Sequence, residues 1–201
     1  MDYSEYMYLY PPRPEEALPR AMLSNFEKRG WYAQVKKNGT NTVIFSKGDQ
    51  VIFKTRHQDD HKAWSPNAEH IKFFQGRKDW TVYTAELLHS KTPHIKNHLC
   101  IYDVLVSNGK NLIDFTYAER QKMLKASFTG ENFFDRIQIN PQVSILKNFA
   151  AGFDKIFDNL KPEDEGLVLK NPNSKLEIGF KSTSNQRWNF KVRIPNKNYS
   201  F

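Results

Sequence analysis

The chain has 201 residues, enough for one well-buried domain or two very small ones, and its 14% aromatic and 26% charged content suits a packed core, not a disordered tail. Its 30 basic side chains against 22 acidic ones leave a net charge of +8, spread along the chain, which points to a polyanionic partner such as nucleic acid or a nucleotide phosphate. A single cysteine, Cys100, excludes an internal disulfide framework and a cysteine-based zinc site. No run approaches the ~20 apolar residues of a membrane span. The acidic, Tyr-rich N-terminus also lacks a signal-peptide pattern, so a reducing, cytoplasmic setting is expected, the host cytoplasm if the source is viral, with no membrane partner.

In chain order, residues 3–14 read as an extended aromatic arm ending in Pro11-Pro12-Arg13-Pro14. Glu15 to Lys28 has helical spacing, with Leu18, Met22, Leu23 and Phe26 on one face and Gly30 as the closing cap. Trp31–Lys36, Thr42–Ser46 and Gln50–Thr55 read as strands; Asn38-Gly39 reverses the chain between the first two, and Lys47-Gly48-Asp49 joins the last two. Residues 56–66 form a polar loop, Asn67–Gln75 a short helix, and Thr81–Leu88 and Leu99–Val106 strands, with Cys100 a buried, inert thiol. Asn108-Gly109 is a strong turn signal before Asn111–Ile113. Thr116–Ala126 is helical, with Thr116 at the N-cap and Glu119 three residues on. Arg136–Ile139 and Gln142–Leu146 are short strands, Lys147–Leu160 a helix, and Gly166–Lys170, Leu176–Phe180 and Trp188–Ile194 strands. The expectation is one α+β domain over 1–201, antiparallel sheets with helices packed outside. The six histidines, between residues 57 and 98, make no helical His-x-x-x-His pair and read as a polar loop set, with His57 and His61 placed after Arg56 to face a substrate.

Lys36-Lys37-Asn38-Gly39 delivers a lysine from a strand end beside a glycine that permits close backbone approach, an arrangement suited to attack on a nucleotide phosphate. Short of partners the motif is uninformative, because any Lys-rich chain contains several. Here five further patterns follow it: Thr55-Arg56, Glu86 within Tyr83-Thr84-Ala85-Glu86-Leu87-Leu88, Tyr102-Asp103, Glu165-Gly166-Leu167-Val168-Leu169-Lys170, and Asn189-Phe190-Lys191-Val192-Arg193. The ordered series, over about residues 10 to 195, resembles the covalent nucleotidyltransferases, which include ATP-dependent DNA ligases, RNA ligases and mRNA capping guanylyltransferases.

The resemblance implies an adenylation domain with an ATP-grasp-like catalytic core. In that chemistry a lysine amine attacks the α-phosphate of ATP, AMP passes to a 5′-phosphate end, and a 3′-hydroxyl displaces AMP to form a phosphodiester. Counting three residues back from Gly39 selects Lys36 as nucleophile, and strand alternation sends Lys37 to the opposite side, towards solvent or phosphate. Attack needs a neutral amine, and nearby cations (Lys170, Lys191, Arg193, a bound magnesium) favour that form. By resemblance Glu165 binds a divalent ion near the α-phosphate and Glu86 serves the ribose or the metal. Magnesium, replaceable by manganese, suits such hard oxygen ligands. Gln34, Val35 and Asn41 would border the nucleotide, Lys170, Lys191 and Arg193 its phosphates, and Tyr102 would stack on adenine. Arg56 would touch the AMP phosphate or the incoming 5′-phosphate. Arg193 stands where the family usually has lysine, which keeps the charge and changes the hydrogen-bond geometry.

Asn38 and Asn41 replace the Asp and Arg usual in DNA ligases, and Lys-x-x-Gly-x-Asn is similar to the phage RNA ligases that seal breaks in duplexes. Only residues 194–201 follow Arg193, too few for the OB-fold or helical C-terminal domain of relatives. The expected activity is ATP-dependent sealing of 5′-phosphate/3′-hydroxyl nicks in duplex DNA, RNA or hybrids, by a monomer. A guanylyltransferase, an end-adenylating enzyme and a non-catalytic nucleic-acid-binding module are the alternatives on the same scaffold.

Overall fold

The computed structural model describes residues 17–176 and 189–195. The expected arm at 3–14, the first residues of the helix expected from Glu15, residues 177–180 of the strand expected at Leu176–Phe180, and Trp188 lie outside them. Pro19 is extended (φ −67°, ψ 151°), so helical structure begins only after it: a 3-10 turn, Arg20–Met22, runs into α1 (Leu23–Lys28). The helix is therefore shorter than the spacing from Glu15 predicts, because proline holds its own φ and biases the residue before it away from helix. α1 ends as expected: Trp31 N–H donates to Phe26 O and Gly30 N–H to Glu27 O, the paired bonds of a Schellman cap.

The strands are β1 (Tyr32–Lys37), β2 (Thr40–Gly48), β3 (Gln50–Thr55), β4 (Arg77–Leu88), β5 (His98–Ser107), β6 (Lys110–Asn111), β7 (Glu131–Asn132), β8 (Arg136–Asn140), β9 (Val143–Leu146), β10 (Asp164–Lys170) and β11 (Asn189–Arg193). They build two sheets: a small one ordered β1-β10-β11, and a large one ordered β3-β2-β4-β5-β9-β8-β7 with β6 paired to β5. Asn38-Gly39 is therefore not a hairpin between partners, as its sequence suggests. β1 pairs with β10 and β2 with β3 and β4, so the turn carries the chain from one sheet to the other. Its glycine is required by crowding, since a Cβ there would lie 2.5 Å from the Leu87 carbonyl. The pairing is antiparallel except for β5 with β9, which is parallel.

α2 (Ala68–Phe74) and α3 (Tyr117–Ala126) each begin with a capping box, Asn67 with His70 and Thr116 with Glu119, the second as the sequence predicts. Asn108 and Gly109 both have positive φ, 47° and 78°, the hairpin geometry expected between β5 and β6. The helix expected at Lys147–Leu160 is reduced to α4 (Phe153–Asp158). Phe149 is extended and exchanges two backbone hydrogen bonds with Ala33, at 2.9 and 2.8 Å, and Gly152 (φ 76°) turns the chain into the helix.

Alternation decides what each sheet buries. On the small sheet Ala33, Val35, Leu167, Leu169 and Val192 face α1 and α4, joined by Leu23, Phe26, Phe153 and Phe157. On the large sheet Ile44, Tyr83, Ala85, Leu99 and Ile101 pack with Phe74 of α2 and Leu124 of α3. The histidines are not a uniform loop set. His70 and His98 are buried, with His70 Nε2 donating to the Asn97 carbonyl (2.8 Å) and His98 Nδ1 to that of Pro141 (3.1 Å). Burial pushes the His98 imidazole down to about 4, so it is a neutral core group. No helix among the described residues is long and apolar enough to cross a membrane.

Candidate active site

The chain's crossing at Asn38-Gly39 leaves the uncovered faces of the two sheets looking at each other across a cleft of about 430 Å³. From the small sheet it receives Gln34 and Lys36 on β1, Glu165, Val168 and Lys170 on β10, and Asn189, Lys191 and Arg193 on β11. From the large sheet come Asn41 on β2, Glu86 on β4 and Tyr102 on β5, with Arg56 just after β3. The structure thus brings together the residues assigned catalytic, nucleotide or metal roles from the sequence; Val35 also borders the cleft, although its side chain belongs to the core beneath. Lys191 and Arg193 share one face of β11 while Val192 packs on the other, as strand alternation requires.

The geometry has two ends. At one, the Lys36 ammonium is ion-paired with the Glu165 carboxylate, and Arg193 Nε lies 3.7 Å from the same carboxylate. Glu86 stands across from them and accepts the Gly39 N–H at 3.1 Å. Burial pushes the Glu86 carboxyl up to about 7, against the opposing pull of Lys36 and Lys91. At the other end Lys170 Nζ donates to Gln34 Oε1 (2.8 Å) and sits over the Tyr102 and Tyr117 rings, 5.0 and 4.7 Å from their centroids. Burial draws this lysine down to about 8, partly countered by Asp103. The Tyr102 hydroxyl accepts from Asn41 Nδ2, and burial followed by the Glu86 charge raises its phenol.

Lys37 departs from expectation. Alternation does separate it from Lys36, but its side of β1 is the Ala33 and Val35 side, which is buried. Lys37 is 3% exposed, and its Nζ is 2.6 Å from both Asp135 and Asp164. Burial presses against its charge, yet the two aspartates hold its ammonium above the ordinary lysine value. Of the two histidines expected to face a substrate, His57 borders the cleft, whereas His61 is turned to Thr42 Oγ1 (3.2 Å) and the edge of Trp64.

Two cleft residues are assigned no role from the sequence, Lys91 and Asn189, the second although it lies within the last of the motifs. Lys91, from the loop after β4, donates to the Gly39 carbonyl at 2.7 Å. Asn189 is buried with its Oδ1 lacking a hydrogen-bond partner, and the Asn41 Oδ1 is in the same state. Buried acceptors without donors are costly in an empty cleft and are satisfied by a ligand that brings N–H or O–H groups. Among the described residues no cluster of three or more His, Cys, Asp or Glu side chains is poised for a metal. Glu86 and Glu165 are the carboxylates that border the cleft, a donor set that fits magnesium, which takes one or two carboxylates and completes its shell with phosphate and water.

Two sheets clasping a basic cleft, with a lysine and a glutamate paired at one end, is the architecture of the nucleotidyltransferase core of polynucleotide ligases. The family model for the ATP dependent DNA ligase domain matches residues 63–191, and the chain belongs to that family. It is similar in structure to mycobacterial DNA ligase D complexed with ATP and MES, with a TM-score of 0.62 and 15% identity over 91% of this chain and 60% of that one. A Lig E DNA ligase, described as binding DNA with a minimal scaffold, gives 0.56 and 12% over 92% and 69%. An RNA ligase of Naegleria gruberi, R4a, gives 0.50 and 15% over 92% and 56%. The chain spans 60% of the length of the mycobacterial protein it matches. No curated protein sequence matches it.

Proposed function

We propose that this chain is the adenylation domain of a polynucleotide ligase that joins a 5′-phosphate to a 3′-hydroxyl at nicks in duplex nucleic acid, DNA, RNA or hybrid, through a covalent Lys36–AMP intermediate. The observation that carries the reading is the convergence of Lys36, Arg56, Glu86, Glu165, Lys191 and Arg193, from five separate stretches of sequence, on one cleft. A module that only bound nucleic acid would need the cations; it would not need a strand-end lysine flanked by two carboxylates.

Lys36 Nζ, as the free amine, would attack the α-phosphorus of ATP. The N–P bond forms, the bond to the bridging oxygen breaks, pyrophosphate leaves, and the amine gives up a proton. Lys191 and Arg193, alternate residues on one face of β11, would hold phosphate oxygens along the line of attack, and Arg56 the AMP phosphate or the incoming 5′-phosphate. Tyr102 would stack on the adenine, with the Asn41 and Asn189 amide oxygens available to its amine and the ribose hydroxyls. Glu165 and Glu86 would hold magnesium, or manganese in its place, whose chemistry is to neutralise charge on the phosphate oxygens.

Incubation with α-labelled ATP and magnesium is expected to place AMP on Lys36, with Lys36→Ala folded and unlabelled; label retained in Lys36→Ala would overturn the assignment. Nicked duplexes with DNA or RNA on each side of the nick then read the substrate, and sealing of none of them would reduce the reading to end-adenylation.

A further inference from the structure

β10 changes its facing in the middle of the active site. Val168 and Lys170 border the cleft, and Leu167 and Leu169 face the core. Regular alternation beyond Leu167 would turn Glu165 into the core and Asp164 into the cleft. The opposite is found: Lys36 lies across from Gly166 and Lys37 across from Asp164, so Glu165 has no partner on β1 and forms a bulge. Gly166 permits it, at φ 144° and with the Val192 carbonyl 2.0 Å from where a Cβ would stand. The bulge produces two ion pairs at adjacent positions on opposite faces, Lys36 with Glu165 in the cleft and Lys37 with Asp164 beneath it. Bulges next to active sites commonly serve to re-aim a side chain.

We infer that the buried Lys37–Asp164 pair is a register lock that positions Lys36 and Glu165, holding the bulge that turns Glu165 towards Lys36. The Asp164 carboxylate is tied on both sides: Oδ1 takes Lys37 Nζ at 2.6 Å and Oδ2 accepts the Lys161 N–H at 2.9 Å, so it fixes the entry to β10 as well as its pairing. Asp135 adds charge balance from outside the strand pair, its other oxygen accepting from Arg136 at 3.2 Å. Without the tie, a slip of one residue restores regular alternation, seats Lys37 opposite Glu165, and removes Glu165 from the cleft. Lys37 and Asp164 are positioning residues and touch no reacting atom. The inference rests on the reading of Lys36 as the AMP acceptor.

The two aspartates separate a register lock from simple core stability, because only Asp164 lies on β10. Each is replaced by asparagine in the full chain, and three quantities are read: melting temperature, acetylation of Lys36 by acetic anhydride without nucleotide, and AMP transfer to Lys36. Asp164→Asn is expected to raise Lys36 acetylation at least three-fold. It should also slow AMP transfer at least ten-fold, with the KM for ATP changed less than two-fold. Asp135→Asn should change each of these less than three-fold while lowering the melting temperature comparably, and Lys37→Arg should keep the transfer rate within three-fold of the original. If Asp164→Asn does not fold, the charge-free K37M/D135N/D164N variant takes its place with the same expectations. Equal effects of the two single variants, scaling with lost stability, would overturn the lock, as would unchanged Lys36 acetylation in folded Asp164→Asn or K37M/D135N/D164N. Absence of AMP transfer in the unsubstituted chain would instead remove the ligase reading, and the acetylation comparison, which needs no nucleotide, would still judge the lock.

Discussion

Glu86 is the residue whose surroundings make the clearest statement about pH. Burial holds its carboxyl near 7, well above the unfolded value, with Lys36 and Lys91 limiting the rise. Between about pH 4.5 and 7 the folded chain keeps a proton that the unfolded chain has released, so this group lowers stability as pH rises through that window. His98 acts with the opposite sign. Its folded value near 4 lies below the unfolded one, so its contribution grows as pH rises from about 4 to 6.5. The two partly cancel in acid, and above about pH 6.5 Glu86 is left alone. Denaturant unfolding of the nucleotide-free, metal-free chain is therefore expected to show Glu86→Gln gaining stability relative to the unsubstituted protein as pH rises from 5 to 7.5. A difference that stays constant over that range would show that Glu86 titrates as an ordinary carboxylate. The neighbouring Lys37 shows why charge in a sequence does not reveal its setting. It differs from Lys36 by one position, and only the fold shows that its side of the strand is a buried one closed by two aspartates.

The elements that could be read from sequence are those whose determinants are local. The capping box at Thr116 and Glu119, the glycine closure of α1 and the Asn108-Gly109 hairpin all use residues within a few positions of one another, and all form as expected. That the candidate site residues would meet in one cleft was legible for a related reason: the short patterns that carry them stand in a fixed order, whatever the contacts between them. What escaped depends on partners distant in the chain, as with Asn38-Gly39, a hairpin signal by composition, where long-range pairing of β1 with β10 overrides the local turn. α4 is the clearest case. Its six residues are too few to be stable alone, and its first N–H groups, those of Gly152 and Phe153, are capped at 3.0 and 2.9 Å by the carboxylate of Glu27 on α1. No window of sequence contains both ends of that cap. Glu27→Ala is expected to cost about 0.5–2 kcal/mol, the range for losing a helix cap, read as a lower denaturant midpoint at unchanged slope. AMP transfer to Lys36 should survive under conditions where the variant is folded, because α4 packs on the face of the small sheet away from the cleft. A loss below about 0.3 kcal/mol, within the usual effect of an innocuous surface change, would mean that the packing of Phe153 and Phe157 holds the helix unaided.

For the whole molecule, the net charge of +8 is not distributed indifferently. Lys36, Arg56, Lys91, Lys170, Lys191 and Arg193 border the cleft against Glu86 and Glu165, so much of the positive field gathers where two polyanions, a nucleotide and a nucleic-acid strand, would meet the chain. The two ligands engage that field differently. A nucleotide held between the sheets contacts partly buried groups, which salt screens weakly. A duplex lying over the cleft's rim displaces condensed counterions, and its affinity falls with salt by a slope of about 0.9 for each phosphate contacted. Raising monovalent salt from roughly 50 to 200 mM is therefore expected to weaken binding of a nicked duplex by at least ten-fold, the fall for as few as two phosphate contacts. AMP transfer from ATP to Lys36, measured without duplex, should change less than three-fold over the same range. Arg56 discriminates between the two roles open to it. If it meets the incoming 5′-phosphate, Arg56→Ala lowers the salt slope of duplex binding by about one and spares AMP transfer; if it meets the AMP phosphate, the slope stays and AMP transfer falls. A duplex affinity that does not change with salt, beside AMP transfer that falls, would place the field at the nucleotide alone, leaving duplex affinity to contacts other than charge.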